Sequence, residues 1–268
     1  MGDSLADWLA LREPFDAAAR SDALVRAIGA AMPRDRPLRI VDLGAGRGSN
    51  ARYLASRLPL PQEWLLLDED ATLLADVGGL TPSFETRPMN LGALSRAIFE
   101  GRHLVTASAL LDLVSETWLR SLAAHCHAIG AAGLFALTYN GESRCSPAEP
   151  EDDVVRELMN RHQRSNDKGF GRAAGPDAVD AAARCFSEVG YRVQRASSDW
   201  VLPPEARELQ RQLVEGWAEA ATAIASGQSA IIRSWKRRRL AHIDAGQSRI
   251  IVCHEDLAAL PPTTRSPG

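Results

Sequence analysis

The chain has 268 residues, 45% of them apolar and 24% charged, with 31 Lys and Arg against 34 Asp and Glu for a net charge of -3. That length supports one sizeable core, or a core domain with a small cap, at an apolar content ordinary for a globular protein. The slight acidic balance gives no bulk attraction for nucleic acid or an anionic membrane, and no apolar run is long enough to span a bilayer. The four cysteines (Cys126, Cys145, Cys185, Cys253) stand far apart. They form no C-x-x-C pair and no zinc-finger spacing. Asp3, Asp7, Arg12, Glu13 and Asp16 interrupt any apolar core of an export signal. Free thiols in a reducing, cytoplasmic compartment are expected.

Residues 3–32 predict two helices broken near Pro14, with Leu5, Trp8, Leu9 and Leu11 on one apolar face and Phe15, Ala19, Leu24, Ile28 and Ala31 on the next. Trp8, Arg12 and Arg20 are placed either to cover a core or to face a ligand. LRIVDL over Leu38–Leu43 predicts a buried first strand. Gly44, Gly46 and Gly48 then form G-x-G-x-G, where glycine permits tight bends and leaves no side chain between turn and ligand. Ser49 or Asn50 is expected to cap a helix running to Leu58. A second strand, Trp64–Asp68, ends on a carboxylate able to accept both hydroxyls of a ribose. A helix from Ala71 to Val77 follows, stopped by Gly78 and Gly79.

VDLGAGRG, with Asp42 before its glycines, resembles motif I of the class I S-adenosylmethionine-dependent methyltransferases, in the manner of bacterial small-molecule enzymes. LLLDED resembles their motif II. Gly48 follows Gly46 after one residue, not the two of the dinucleotide fingerprint. The resemblance implies an α/β fold: a Rossmann-like seven-stranded mixed sheet with helices on both faces. Its last strand is antiparallel, between strands five and six, with N-terminal helices and a helical insertion before that strand. It implies S-adenosyl-L-methionine as cofactor, held by Asp42, Gly44, Ala45, Gly46, Asn50, Asp68 and Glu69. Asn90 and Leu91 would stand by the adenine, and Ala107 and Ser108 by the methionine part. The resemblance covers roughly residues 36–256, and its specific part is 38–70. The implied organisation is a helical cover over 1–35, the methyltransferase domain over 36–256 with cap elements at about 142–175 and 203–246, and a tail over 257–268.

Phe84–Pro88 reads as strand three and His103–Ala107 as strand four. ASALLD stands where enzymes that methylate nucleic-acid bases carry N/D-P-P-Y/F, which argues against that chemistry. Asp112 reads as a solvated loop residue or an internal cap. Ser115 is expected to cap a helix that buries Trp118, Leu119 and Leu122. Gly133–Tyr139 predicts strand five, ending in an Asn140-Gly141 turn, with Tyr139 and Asn140 as substrate contacts. Glu142–Asp153 reads as an inserted loop, and Val154–Arg164 as a helix with His162 on its apolar face. The loop at Asp167–Arg172 sets an aromatic between two glycines and beside two cations. It is the expected substrate loop, with Lys168 or Arg172 meeting a carboxylate or phosphate and Phe170, Trp8 and Arg12 completing the pocket. Tyr191–Ser197 is a strand, with Asp199 and Trp200 past its end. Helices over 204–225 and 228–244 follow, the second carrying Lys236–Arg239, and then the last strand, Ser248–His254.

A sulfonium carries its own leaving group, so alignment is the protein's main task. No cluster with metal-ligand spacing is present. For an oxygen or nitrogen acceptor, His162 and then Tyr139 are the candidate general bases, while His254 reads as structural. The expected function is methyl transfer to a small molecule, including anionic ones, by a monomer or homodimer. The competing readings are a nucleic-acid-directed methyltransferase, drawn from the basic run, an NAD-linked oxidoreductase, and a non-catalytic S-adenosylmethionine-binding partner.

Overall fold

The computed structural model describes residues 5–80, 83–165 and 167–262. Half of the expected tail, residues 263–268, lies outside the described residues. The chain opens with α1 (Leu5–Ala19) and α2 (Asp22–Ala31). Pro14 sits inside α1 and does not divide it. The break falls instead at Arg20-Ser21, where the Ser21 hydroxyl accepts the Leu24 amide and caps α2. There follow β1 (Leu38–Leu43), α3 (Ser49–Ala55), β2 (Gln62–Asp68), α4 (Ala71–Ala75), β3 (Ser83–Pro88), β4 (Leu104–Ser108), α5 (Glu116–Ile129), β5 (Ala132–Ser146) and α6 (Asp152–Ser165). The chain continues through α7 (Ala178–Glu188), β6 (Arg192–Ser197), β7 (Trp200–Leu202), α8 (Arg207–Ile224), α9 (Ser229–Asp244) and β8 (Arg249–Leu260).

The sheet runs β3-β2-β1-β4-β5-β8-β6, with β7 as an extra short strand on β8. The first five pair in parallel, and β8 lies antiparallel between β5 and β6. This is the Rossmann-like arrangement with an antiparallel last strand, and both faces are covered. Val41, Leu43, Leu65, Leu67, Val105 and Phe135 pack under α5 and α7. Ile40, Trp64, Leu66, Leu104 and Leu134 pack under α2, α3 and α4. Burial on both sides explains why the strands read as continuous apolar runs.

Several elements differ from the sequence expectation. β5 does not turn at Asn140-Gly141 but runs on to Ser146, absorbing irregularities against β8 between Phe135 and Thr138 and between Tyr139 and Ser143. Gly141 takes φ 93° within that second irregularity. β8 extends to Leu260, taking in residues expected as tail. The outer ends of β5 and β8, with β7, support a third apolar cluster in which Leu158 of α6, Leu209 and Trp217 of α8, and Trp235 of α9 are buried.

That cluster settles the basic run. Arg239 is fully buried and donates to Asp152 (2.8 Å) and to the Pro147 carbonyl (2.5 Å). Trp235 Nε1 donates to the other Asp152 oxygen at 2.7 Å. Arg238 bridges Glu149 and Glu151, and His242 meets Glu149. Arg238 and Arg239 thus bind the 147–152 turn to α9. No helix among the described residues is long and apolar enough to cross a membrane, and all four cysteines are free. Arg239→Ala leaves Asp152 facing a vacated buried site. It is expected to lower the unfolding free energy by about 3–5 kcal/mol in urea denaturation; a loss below about 1 kcal/mol contradicts the role given to Arg239.

Candidate functional site

β1, β2 and β4 end at one edge of the sheet, where the glycine turn lies. Gly44, Gly46 and Gly48 all take positive φ (67°, 52° and 77°), open to glycine at little cost. Gly48 is the residue before α3, and neither Ser49 nor Asn50 caps that helix. The turn is fixed from β2: the Ala45 amide donates to the Leu67 carbonyl, and the Gly46 amide to Asp68 Oδ2, both at 2.8 Å. Asp68 Oδ1 accepts the Asp70 amide at 3.0 Å. Each carboxylate oxygen thus keeps acceptor capacity for a further donor.

A cavity of about 360 Å³ opens over this turn. Its floor is Gly44, Ala45, Gly46 and Asn50; one wall is Asp68, Glu69 and Asp70, with Leu91 beyond. Ser108, Ala109, Leu110 and Leu113 follow from the end of β4, and Lys168 and Phe170 from the later loop. Leu5, Leu9, Arg12, Glu13 and Asp16 of α1 form the roof. Leu9 Cδ1 comes to 3.4 Å, and a Leu110 methyl to 3.5 Å, of where side chains on Gly46 and Gly44 would begin. The roof is held by polar contacts. Glu13 takes a bidentate pair from Arg52, Nε to Oε1 at 2.9 Å and Nη2 to Oε2 at 2.7 Å, and Arg12 pairs with Asp16 at 2.9 Å. Trp200 Nε1 donates to Asp16 at 3.0 Å. A second cavity of about 250 Å³ shares Glu13, Asp16, Ser49, Asn50 and Ser108 with the first and adds Arg20, Arg52, Tyr53 and Arg57.

The loop at 167–171 is built as its composition suggests. Asp167 Oδ1 accepts the amides of Gly169 (2.8 Å) and Gly171 (3.0 Å). Phe170 is half-buried, edge-on to Trp118 at 6.1 Å. The Gly169 carbonyl sits where any side chain on Gly92 would begin.

Several expected site residues stand elsewhere. Asn90 is exposed and closes an Asx turn on the Gly92 amide (2.7 Å), outside the cavity wall. Ala107 is buried in β4, one residue short of the opening. The Tyr139 hydroxyl donates to Asn160 (3.1 Å), off the cavity wall, and burial raises its pKa. Asn140 is committed to the Glu142 amide (3.2 Å). His162 is on α6 and not on the cavity wall. Arg172 donates to the Arg164 carbonyl (3.0 Å), and Trp8 packs against Trp200. Asp112 is buried, not solvated; burial lifts its pKa to about 6 against the pull of Arg12 and Lys168. His254 is buried between Tyr139 and Trp200 and held neutral, its pKa lowered to about 3.

Sequence reading missed Glu13, Asp16, Ala109, Leu110 and Leu113. Arg12 and Asp16 have helix i, i+4 spacing, a signal for a pair but not for the cavity it borders. Behind the turn, Asn50 Nδ2 donates to Asp42 Oδ1 (2.6 Å) and Thr106 Oγ1 (3.1 Å). Asp42 Oδ2 has no hydrogen-bond partner among the described residues. Burial lifts the Asp42 carboxyl from 3.8 to about 7. Its ionisation therefore opposes folding, and its penalty grows as pH rises from about 4 through about 7. Asp42→Asn, which keeps an acceptor for Asn50, is expected to raise Tm over the parent at pH 8, the gain vanishing by pH 4. A gain independent of pH contradicts this.

No protein-family model and no curated protein matches the chain. Solved structures do. A candidate methyltransferase from Bacillus halodurans aligns with TM-score 0.50 at 12% identity, over 90% of this chain and 99% of that one. The YcgJ protein from Bacillus subtilis gives 0.47 at 16%, over 89% and 97%. The cyclopropane synthase MmaA2 from Mycobacterium tuberculosis gives 0.46 at 11%, over 88% and 83%. At such identity the likeness is one of fold.

Proposed function

We propose that this chain is an S-adenosylmethionine-dependent methyltransferase that acts on a small molecule at an oxygen or nitrogen atom. The observation that carries the reading is the cavity shared by the left-handed Gly44–Gly48 turn and the Asp68 carboxylate. The residues present fit the cofactor. Asp68 has acceptor capacity for two ribose hydroxyls, Leu91 and Leu73 offer apolar contact to a base, and the glycine turn lets an extended chain lie against the backbone. Asn50 and Ser108 lead onward to the second cavity, lined by cations, where an amino-acid end would lie. The bound cofactor supplies an activated methyl group and its own leaving group.

The rest is work for the protein's own side chains. α1 lies over the cavity and shields part of it from solvent, which strengthens charge interactions beneath it. Ala109, Leu110, Leu113 and Phe170 give the acceptor an apolar wall, with Arg12 and Lys168 as the cations beside it. Those cations suit a substrate bearing a carboxylate or phosphate. In place of His162 and Tyr139, Asp112 is the carboxylate offered to receive a proton: it lies in the chain between the wall residues Leu110 and Leu113, and burial raises its pKa.

Calorimetry tests the reading. The protein is expected to bind S-adenosylhomocysteine, and Asp68→Ala to weaken that binding by about 1.5–3 kcal/mol, the scale of a lost charge-assisted hydrogen bond. Unchanged affinity in the variant removes Asp68 from the site, and no binding by the parent protein removes the function.

A further inference from the structure

The second cavity contains a group that the fold does not satisfy. Arg20 is only 7% exposed, at the junction of α1 and α2. Its Nη1 donates to Asn50 Oδ1 and its guanidinium lies over the Tyr53 ring at 4.3 Å. Its Nε and Nη2 have no hydrogen-bond partner among the described residues. A buried guanidinium with two idle donors is costly unless an anion meets it. The neighbouring cations are engaged: Arg52 is held by Glu13, and Arg57 stacks on Tyr53 at 3.9 Å beside Asp22. Of the carboxylates around it, Asp256 is committed to the Leu137 and Ser21 amides and Asp16 to Arg12 and Trp200, while Asp42 bonds the far end of the Asn50 amide and makes no hydrogen bond with Arg20. Arg20 is thus the buried cation of this cavity with donors to spare, and a planar fork matches a carboxylate.

Its position in the chain gives that contact a consequence. α2 is rooted in the core through Leu24, Val25, Ile28 and Gly29, and the Ser21 amide is tied to Asp256 at 2.8 Å. α1, by contrast, has no fully buried residue. Arg20 stands where the anchored helix meets the roof.

Resting on the methyltransferase reading, we infer that Arg20 receives the α-carboxylate of the cofactor's amino-acid end and thereby fixes α1 over the occupied cavity. Three ligands separate the contributions: S-adenosylhomocysteine, its decarboxylated analogue, and 5′-methylthioadenosine, which lacks the whole amino-acid end. The unmodified protein is expected to bind S-adenosylhomocysteine at least tenfold more tightly than the decarboxylated analogue. Arg20→Met is expected to abolish that preference while leaving 5′-methylthioadenosine within about twofold. Arg20→Lys, which keeps the charge but loses the fork, is expected to retain part of it. In hydrogen exchange, S-adenosylhomocysteine is expected to slow the amides of residues 5–19 more than the decarboxylated ligand does.

Equal affinity of the unmodified protein for the two ligands overturns the carboxylate site, and this comparison needs no variant to fold. If Arg20→Met weakens all three ligands alike, Arg20 is only structural. Equal slowing of α1 by both ligands overturns the coupling to the roof. Binding of none of the three removes the methyltransferase reading itself, a result distinct from each of these.

Discussion

Asn50 is the buried link on which the geometry of the site depends. It stands one residue into α3, and its amide joins Asp42 of β1, Thr106 of β4 and Arg20 of the helical cover. Thr106 passes the chain on to the Leu134 carbonyl of β5 at 2.7 Å. One side chain therefore registers three adjacent strands and the N-terminal helices against the glycine turn. In so dry a setting such bonds are strong when made and expensive when broken. That gives a reason for an amide at this place: its oxygen accepts from a guanidinium while its nitrogen donates to a carboxylate, which neither Asp nor Leu can do.

Much of the architecture was legible from residues 38–70, because strand, left-handed turn and terminal carboxylate are each local and each leave a chemical mark. Gly44, Gly46 and Asp68 needed no knowledge of the remaining fold. What lay beyond local signals was less legible. Asn140-Gly141 has turn chemistry, yet pairing with β8 carries the strand through it and turns the glycine into an irregularity. Pro14 reads as a helix break, yet the chain breaks at Ser21, whose hydroxyl and amide both find partners. His162 and Tyr139 have the chemistry of a base, but neither lines the cavity. Asp112 looked like a loop residue because nothing in ASALLD reveals that the segment folds inward.

The same lesson applies to charge. Lys236–Arg239 invites a reading as a basic surface. Arg238 and Arg239, with His242, instead saturate Glu149, Glu151 and Asp152, residues that sequence placed in an inserted loop. Charges far apart in the chain cancel across a buried joint, so the net charge of a segment says little about the surface it presents. α1 is the opposite case: its polar residues look like a solvated face, yet Glu13 and Asp16 are what hold it in place.

β8 has a consequence for how the molecule is assembled. Leu257 and Ala259 belong to the cluster under α5 and α7, Ala258 and Leu260 to that under α2, α3 and α4, and Ile250 and Val252 to that beneath α6, α8 and α9. A single strand contributes to all three interiors. During synthesis each of them lacks part of its wall until residues 249–260 have left the ribosome, so the apolar strands made before them stay incompletely covered until then.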